Sequence, residues 1–404
     1  MTEEVPSVRI PAPLPDGVSQ ATIGVRGGLL RSGFSETAEA MYLTSGYVYS
    51  SAAEAEKSFT GEIDRYVYSR YGNPTVSMFE ERLRLIEGAQ AAFATASGMA
   101  AVFTALGALL GAGDRLVAAR SLFGSCFVVC NEILPRWGVE TVFVDGEDLS
   151  QWEEALSKPT QAVFFETPSN PMQSLVDIAA VSEMAHAAGA KVVLDNVFAT
   201  PLLQQGMPLG ADVVVYSGTK HIDGQGRVLG GAILGDTEYI DGPVQKLMRH
   251  TGPALSAFNA WVLLKGLETM SVRVDYSNRS AQRVAEFLEA HPSVSWVKYP
   301  FLESHPQYDL AKRQMRGGGT VVTFELAGGT KDRAFEVLDK LQVIDISNNL
   351  GDAKSLITHP ATTTHRAMGP EGRASIGLGD GVVRISVGLE GTEDLIADLD
   401  RALS

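Results

Sequence analysis

The amino-acid sequence predicts an α/β fold, with a mostly parallel seven-stranded sheet covered by helices and a smaller α+β unit at the C-terminal end. Short apolar runs alternate with helix-length segments from residue 91 to residue 234. The runs are apolar on both faces, which is typical of parallel strands buried between two layers of helices. The predicted strands of this sheet are Ala91–Thr95, Arg115–Ala118, Glu140–Val144, Ala162–Phe165, Lys191–Leu194, Asp212–Tyr216 and Gly231–Leu234.

The elements outside the sheet follow in order along the chain. Residues 1–20 contain four prolines and are predicted to form a loose arm. Helical spacing of apolar residues predicts a helix over Met78–Ile86 that stops at Gly88, and a second long helix over 263–289. The C-terminal region is predicted to add strands at Ser293–Val297, Gly319–Glu325 and Val382–Ser386, and helices at Lys331–Leu341 and Glu393–Ala402.

Length and composition limit the class of protein. At about 150 residues per domain, 404 residues predict two or three units, which we place at 1–70, 71–262 and 263–404. The first is a segment without sustained periodicity that must pack on the body or on a neighbouring subunit. With 45% hydrophobic and 20% charged residues, the chain is predicted to be globular.

The net charge of −15 disfavours binding to nucleic acid or to an anionic membrane surface. No basic start followed by an apolar run marks a signal peptide, and no apolar stretch is long enough to span a bilayer. Cys126 and Cys130 cannot form a disulfide framework. These features predict a cytoplasmic protein.

Polar residues follow the predicted strands where each strand ends. Ser97-Gly98-Met99 follows the first strand, Glu166 to Pro171 follow the fourth, Asp195-Asn196 follow the fifth and Ser217 to His221 follow the sixth. Since ligands of parallel α/β sheets bind beyond the carboxyl ends of the strands, these residues are predicted to meet at one edge.

The chemistry at this edge points to a phosphate-bearing cofactor. Ser217-Gly218-Thr219-Lys220 offers two hydroxyls and a lysine. Partial burial would lower the pKa of this lysine, which favours Schiff-base chemistry. Asp195 ends an apolar strand and needs a cation, which a protonated pyridine nitrogen would supply. Singly, each feature has an ordinary structural explanation: a helix cap at Ser97, a lysine reaching solvent, an aspartate capping the next helix. Together they favour pyridoxal phosphate.

Other motifs are weaker. Gly224 to Gly230 approaches a dinucleotide-binding pattern but has the wrong spacing and leads into a strand. His359 and His365 lack a convincing third ligand, which disfavours a zinc site. The absence of a Gly-x-Ser-x-Gly sequence disfavours an α/β-hydrolase.

From about Thr37 to the C-terminus, the chain resembles the cystathionine γ-synthase-like family, the pyridoxal phosphate enzymes of cysteine and methionine metabolism. The resemblance implies the type I fold of pyridoxal-phosphate-dependent transferases. The matching segments, in order, are Tyr68-Ser69-Arg70-Tyr71-Gly72-Asn73-Pro74, Glu166-Thr167-Pro168-Ser169-Asn170-Pro171, Asp195-Asn196, Ser217-Gly218-Thr219-Lys220, His359-Pro360-Ala361 and Arg384-Ile385-Ser386-Val387-Gly388-Leu389-Glu390.

The resemblance implies a role for each matching residue. Lys220 would hold the cofactor covalently and move protons between substrate carbons, and Asp195 would keep the pyridine nitrogen protonated. Asn170 would lie near the phenolic oxygen of the ring, and Arg384 would bind the substrate carboxylate through two hydrogen bonds.

The phosphate would be shared between subunits of a homotetramer built from dimers. In the family, a tyrosine and an arginine of the neighbouring subunit reach it, here Tyr68 and Arg70. The groups from the same chain would be the Gly98 and Met99 backbone and the Ser217 and Thr219 side chains.

Two positions bear on the reaction. Phe123 stands where many members have a tyrosine that stacks on the ring, and it can stack but cannot donate a proton, which disfavours a tyrosine-dependent lyase. Asn349 stands where many synthases and lyases have serine. An asparagine at this position is similar to the enzymes that replace the ester group of a homoserine ester by sulfide, and segments 39–47 and 251–269 resemble the branch that uses the O-succinyl ester. Cysteine as the nucleophile and γ-elimination remain alternatives, as does a binding protein on a degenerate enzyme fold.

Overall fold

The computed structural model describes residues 13–404. The first twelve residues of the predicted N-terminal arm therefore lie outside the described part of the chain. Residues 13–19 contain no helix or strand, as predicted. No helix within residues 13–404 is long and apolar enough to cross a membrane.

The large sheet contains all seven predicted strands, and no predicted end differs from the structure by more than one residue. Their order is β1-β7-β6-β5-β4-β2-β3, and only β7 runs antiparallel to its neighbours. The mostly parallel sheet is thus confirmed. The strands are β1 Ala91–Thr95, β2 Arg115–Ala119, β3 Glu140–Val144, β4 Ala162–Glu166, β5 Lys191–Asp195, β6 Val213–Ser217 and β7 Gly231–Gly235.

The second sheet lies in the C-terminal region, with the order β10-β11-β12-β9-β8. The three strands predicted there are confirmed within two residues. β10 and β11 were not predicted, because two and three residues are too few to show a periodicity. The strands are β8 Val294–Lys298, β9 Val321–Leu326, β10 Asp345–Ile346, β11 Leu356–Thr358 and β12 Val382–Ser386.

Helices cover both faces of the large sheet and pack against the second one. The α-helices described are α1 Gln20–Arg26, α2 Ala52–Thr60, α3 Pro74–Glu87, α4 Gly98–Leu109, α5 Gly124–Val128, α6 Leu149–Leu156, α7 Ile178–Ala187, α8 Thr200–Leu203, α9 Thr237–Tyr239, α10 Gln245–Thr251, α11 Ala257–Ala290, α12 Tyr308–Gln314, α13 Lys331–Lys340, α14 Gly369–Ser375 and α15 Thr392–Leu403. Shorter 3-10 or π-helical segments are Val129–Ile133, Leu134–Trp137, Met207–Leu209, Gly218–Ile222, Ile240–Val244, Pro360–Thr362 and Arg366–Met368.

Alternate residues of the central strands enter opposite cores. Phe165 and Leu194 belong to the core under α3, α7 and α11, whereas Phe164 and Val193 belong to the core under α4. All four side chains are fully buried. Burial on both faces explains why these strands appear as continuous apolar runs in the sequence.

Helix α11 joins the two sheets. It has 34 residues, begins six residues earlier than predicted, and is capped by Ser256, whose side chain accepts a hydrogen bond from the Asn259 N–H. It packs against α1 and α3 on one side and against β8, β9 and α15 on the other. The division at 262/263 falls inside this helix, and the three units 1–70, 71–262 and 263–404 stay a prediction.

An ionic cluster fixes the N-terminal segment on the body. Glu39 accepts hydrogen bonds from Arg82 of α3 at 2.6 Å and from Lys265 of α11 at 2.9 Å. The Arg82 guanidinium also donates to the Gly27 and Leu264 carbonyls, and none of it is exposed. The segment before α3 therefore packs on the body of its own chain, one of the two possibilities that the sequence left open.

Candidate active site

A cavity of about 260 Å³ lies at the carboxyl ends of β4, β5 and β6, where the two sheets approach each other. This is the edge at which the strand pattern predicted a ligand site. Its walls contain most of the predicted site residues: Gly98, Met99, Phe123, Asn170, Asp195, Ser217, Thr219, Lys220 and Arg384.

The start of α4 forms one wall. The Ser97 side chain accepts a hydrogen bond from the Ala100 N–H, so the N–H groups of Gly98 and Met99 lie in the first turn of a helix, where the dipole favours an anion. A Cβ atom on Gly98 would lie 2.6 Å from the Ser217 Cβ, so only glycine allows this approach to β6. The Thr219 hydroxyl accepts a hydrogen bond from the Gly230 N–H beside it.

Lys220 follows β6 and enters the cavity from the segment Gly218–Ile222. Its backbone departs from helical geometry, with φ −92° and ψ −125°. Burial, together with the positive charge of Arg384, lowers the pKa of the Lys220 amine to about 8. The amine donates a hydrogen bond to the Asn349 side-chain oxygen. A large part of this amine is therefore neutral near pH 8, as a nucleophile or base must be.

Two buried carboxylates face each other across neighbouring strands. Glu166 ends β4, Asp195 ends β5, and the two residues are partners in the parallel register. Within residues 13–404 neither forms an ion pair; Asp195 accepts the Val197 N–H at 3.1 Å. Burial raises the pKa of Asp195 to about 6. Burial and the charge of Asp195 hold the pKa of Glu166 well above its usual range.

Arg384 reaches the cavity from β12 in the second sheet. One terminal nitrogen donates to the Asn170 side-chain oxygen at 2.9 Å, and the other donates to the Asn348 and Asn349 carbonyls at 2.9 and 3.2 Å. The side chain is 1% exposed, and its Nε has no hydrogen-bond partner among the described residues. Burial lowers the pKa of this guanidinium to about 10, so it still carries its charge at neutral pH.

Residues 21–404 match the model of a protein family described as Cys/Met metabolism PLP-dependent enzyme. The chain belongs to this family. Two curated relatives are O-succinylhomoserine sulfhydrylases: one from Mycobacterium tuberculosis, 86% identical over the full length of both chains, and one from Pseudomonas aeruginosa, 46% identical over the full length of both. A structure of a candidate O-acetylhomoserine (thiol)-lyase from Campylobacter jejuni contains N'-pyridoxyl-lysine-5'-monophosphate. It is 31% identical, with a TM-score of 0.91, and the match covers 96% of this chain and 100% of that one.

Pyridoxal phosphate is the cofactor of this family member, and the cavity fits it. Asp195 is a buried carboxylate with no cationic partner within residues 13–404, and a protonated ring nitrogen would supply one. Lys220 presents an amine of lowered pKa. The start of α4, with Gly98 against Ser217, forms a concave backbone surface for the phosphate. The type I fold expected from the resemblance is confirmed by the family and by the mixed seven-stranded sheet.

Tyr68 and Arg70 do not line the cavity of their own chain. Arg70 donates to the Arg249 carbonyl, and its guanidinium lies over the rings of Tyr68 and Tyr71, at 5.3 and 4.8 Å from the ring centroids. Tyr68 is 41% exposed. Their predicted contact with the phosphate of a neighbouring subunit stays a prediction.

Glu166 was not among the predicted site residues, although it was recognised as the first residue after the apolar run Ala162–Phe165. One available signal was the same as for Asp195: a carboxylate directly after a run of buried apolar residues. Asn348 and Thr364, which also line the cavity, lie in irregular segments that carry no pattern.

Proposed function

We propose that this enzyme replaces the succinyloxy group on the γ carbon of O-succinylhomoserine by sulfide, giving L-homocysteine and succinate, as a step of methionine biosynthesis. The observation that carries this proposal is the 86% identity, over the full length of both chains, to a relative with that activity. The cavity adds the chemical support, because it combines an amine, an anion to pair with a ring nitrogen and a cation for the substrate carboxylate. The predicted cytoplasmic location remains a prediction.

Arg384 orients the amino-acid substrate. Its guanidinium is held by Asn170 on one side and by two backbone carbonyls on the other, and Nε has no partner in the part of the chain that the structure describes. A substrate carboxylate at Nε would receive a charge-assisted hydrogen bond, and a second bond requires the terminal nitrogen on that side to release one of its two backbone carbonyls. Substrate binding would also satisfy the buried donor.

Lys220 moves the protons. When bound, pyridoxal phosphate supplies an electron sink that stabilises negative charge on the substrate carbons. The Lys220 amine would accept the α proton, pass it to the bound cofactor and, neutral again, accept a β proton of the substrate. Succinate would then leave the γ carbon with the electron pair of its C–O bond. Sulfide then forms the new bond to the γ carbon, and Lys220 returns protons to the carbons. Asn349, which accepts a hydrogen bond from the amine, aims it into the cavity.

Phe123 favours replacement over γ-elimination. It lines the cavity at the start of α5, where its ring can stack on the cofactor, but it has no hydroxyl to donate a proton to a leaving group. Proton delivery by a phenol at this ring-stacking position is therefore excluded, and Lys220 remains a group that can transfer protons.

The test is identification of the products by mass spectrometry. The purified holoenzyme receives O-succinylhomoserine with sulfide, with cysteine, or alone, and O-acetylhomoserine in parallel. We expect homocysteine from the succinyl ester and sulfide as the dominant product. Cystathionine as the dominant product would assign cysteine as the nucleophile, and 2-oxobutyrate from the ester alone would assign a γ-lyase; either result contradicts the proposal.

We also propose a homotetramer built from dimers that share active sites, with Tyr68 and Arg70 binding the phosphate of the partner. The N-terminal segment supports this, because Phe34 and Val48 are each 90% exposed, and a neighbouring subunit that covered them would remove apolar surface from water. Mixing an Arg70→Ala variant with a Lys220→Ala variant tests it. Shared sites predict that mixed oligomers recover part of the activity that both parents lack. No recovery, or sedimentation as a monomer only, would contradict sharing.

A further inference from the structure

Glu166 connects two walls of the cavity through hydrogen bonds that the proposed reaction does not use. One carboxylate oxygen accepts the Phe123 N–H at 2.8 Å, and the other accepts the Asn170 N–H at 3.0 Å. Phe123 is the N-cap residue of α5, whereas Asn170 lies in the loop after β4. A single side chain thus holds the backbone at two places in the wall of the cavity.

The bond to Asn170 extends to the substrate-binding arginine. The Asn170 side-chain oxygen accepts a hydrogen bond from Arg384, and the Asn170 carbonyl lies 3.0 Å from His365 Nε2. Arg384 comes from the second sheet, so the series Glu166–Asn170–Arg384 crosses from one sheet to the other. A shift of the Asn170 backbone would move the Asn170 side-chain oxygen. The Arg384 guanidinium would then rotate, because one of its terminal nitrogens donates to that oxygen.

Burial of the Glu166 carboxyl group at this position is energetically unfavourable, which suggests that the group has a function here. Glu166 is 3% exposed and lies opposite Asp195, another carboxylate, with no ion pair of its own among the described residues. Apolar packing or a neutral amide would fill the same volume without placing two acids together. A neutral amide has only one acceptor oxygen, whereas a carboxylate accepts both N–H groups.

We propose that Glu166 is a positioning residue: it holds the backbone of Phe123 and Asn170 and, through Asn170, sets the orientation of Arg384 toward the substrate carboxylate. The inference rests on the proposed function for its substrate, but it concerns recognition of the α-carboxylate and does not depend on the nucleophile.

The test is Glu166→Gln in the holoenzyme, which preserves size and keeps only one acceptor. We expect the KM for O-succinylhomoserine to rise about tenfold, with kcat changing less than threefold. Binding of an unreactive carboxylate probe, butyrate, measured by competition, should weaken by the same factor. The absorption band of the bound cofactor should stay, because Lys220 and Asp195 are unchanged.

The matched control is Asp398→Asn in α15. Asp398 is likewise a buried carboxylate that accepts backbone N–H groups, those of Gln342, Val343 and Ile344, but it lies in the C-terminal region and does not line the cavity. The Asp398→Asn variant should have a lower Tm, and its KM for O-succinylhomoserine and its butyrate binding should be unchanged.

Other results would overturn the proposal. These are unchanged KM and butyrate binding in Glu166→Gln, or a loss confined to kcat or to Tm. If Glu166→Gln does not fold, Glu166→Asp, which keeps the carboxyl group but is too short to reach both N–H groups, is measured in the same way. Product analysis of the wild-type enzyme does not depend on the changes in KM and butyrate binding between variants. Failure of the proposed reaction is therefore distinguishable from failure of this inference.

Discussion

Two groups of buried charges in this enzyme are built in opposite ways. Glu39, in the segment before α3, is 6% exposed and has two cationic partners, Arg82 and Lys265. Asp195 and Glu166, in the cavity, are equally buried and have no ion pair among the described residues. Burial opposes the charged form at both places. Hydrogen bonds from Arg82 and Lys265 nevertheless lower the pKa of Glu39, whereas the pKa of Asp195 rises to about 6.

The difference separates a structural ion pair from a binding site. A buried charge that forms an ion pair has its partner within the folded chain. The pairs of Glu39 with Arg82 and Lys265 hold the N-terminal segment on the body. A buried charge without an ion pair destabilises the folded chain until a ligand of opposite charge binds. The interaction with that ligand then contributes to the free energy of binding. Variants of each group should therefore affect different measurements.

The largest effect is expected when the cavity loses its amine. Lys220→Ala should abolish covalent attachment of the cofactor and lower turnover by about 10³-fold or more, because nucleophile and base are removed together. Turnover and the cofactor absorption after gel filtration measure this. Lys265→Ala, which removes a lysine of the paired group, should keep the absorption band and lose stability. Full activity in Lys220→Ala would contradict the mechanism.

Asp195→Asn removes the anion that would face the ring nitrogen, with almost no change in shape. Turnover should fall by about 10²-fold, because the electrostatic stabilisation of the protonated ring is lost. The Tm of the cofactor-free protein at pH 7 should rise, since a buried charge without a partner disappears. Kinetics and thermal denaturation of the two forms test this, and a fall in the cofactor-free Tm would show that Asp195 stabilises the fold by itself.

The opposite result is expected in the paired group. Arg82→Met should destabilise the protein by about 3–5 kcal/mol, because Glu39 then keeps only Lys265 as a partner. Urea unfolding of the holoenzyme measures this, and KM for the ester should not change. Adding Glu39→Gln to Arg82→Met should restore part of the loss. An equal loss in the single and double variants would mean that packing, and not the ion pair, stabilises this contact.

The smallest effect is a difference in pH dependence. The raised pKa of Asp195 means that the folded cofactor-free protein binds this proton more tightly, so this contribution to stability is present at low pH and declines as pH rises from about 4 to about 6. Glu39, whose pKa is lowered, contributes above its unfolded pKa and loses that contribution as pH falls. Tm measured between pH 4 and 7 should show that Asp195→Asn and Glu39→Gln change the slope in opposite directions. Equal changes would contradict the comparison.

The sequence by itself determined the large sheet and most of the cavity. A strand buried on both faces needs apolar residues at every position, so the runs around Phe164, Val193 and Val215 are visible without any tertiary information. Because parallel strands end at a common edge, the polar residues after each run, such as Asp195 and Lys220, had to meet there. The substrate arginine and the subunit-sharing residues came from the family resemblance and not from the pattern.

Only the tertiary structure decided which of these groups are paired. Glu39 and Asp195 are both acidic residues in the sequence, and nothing within a few positions of Glu39 indicates that Arg82 and Lys265 will reach it from 43 and 226 residues away. The tie from Glu166 to Phe123 and Asn170 is equally invisible, because it uses backbone N–H groups, which every residue but proline has. The local sequence pattern indicates whether a residue is buried. Long-range packing determines which groups contact its side chain, and therefore whether its charge forms a stabilising ion pair or is left to bind a ligand.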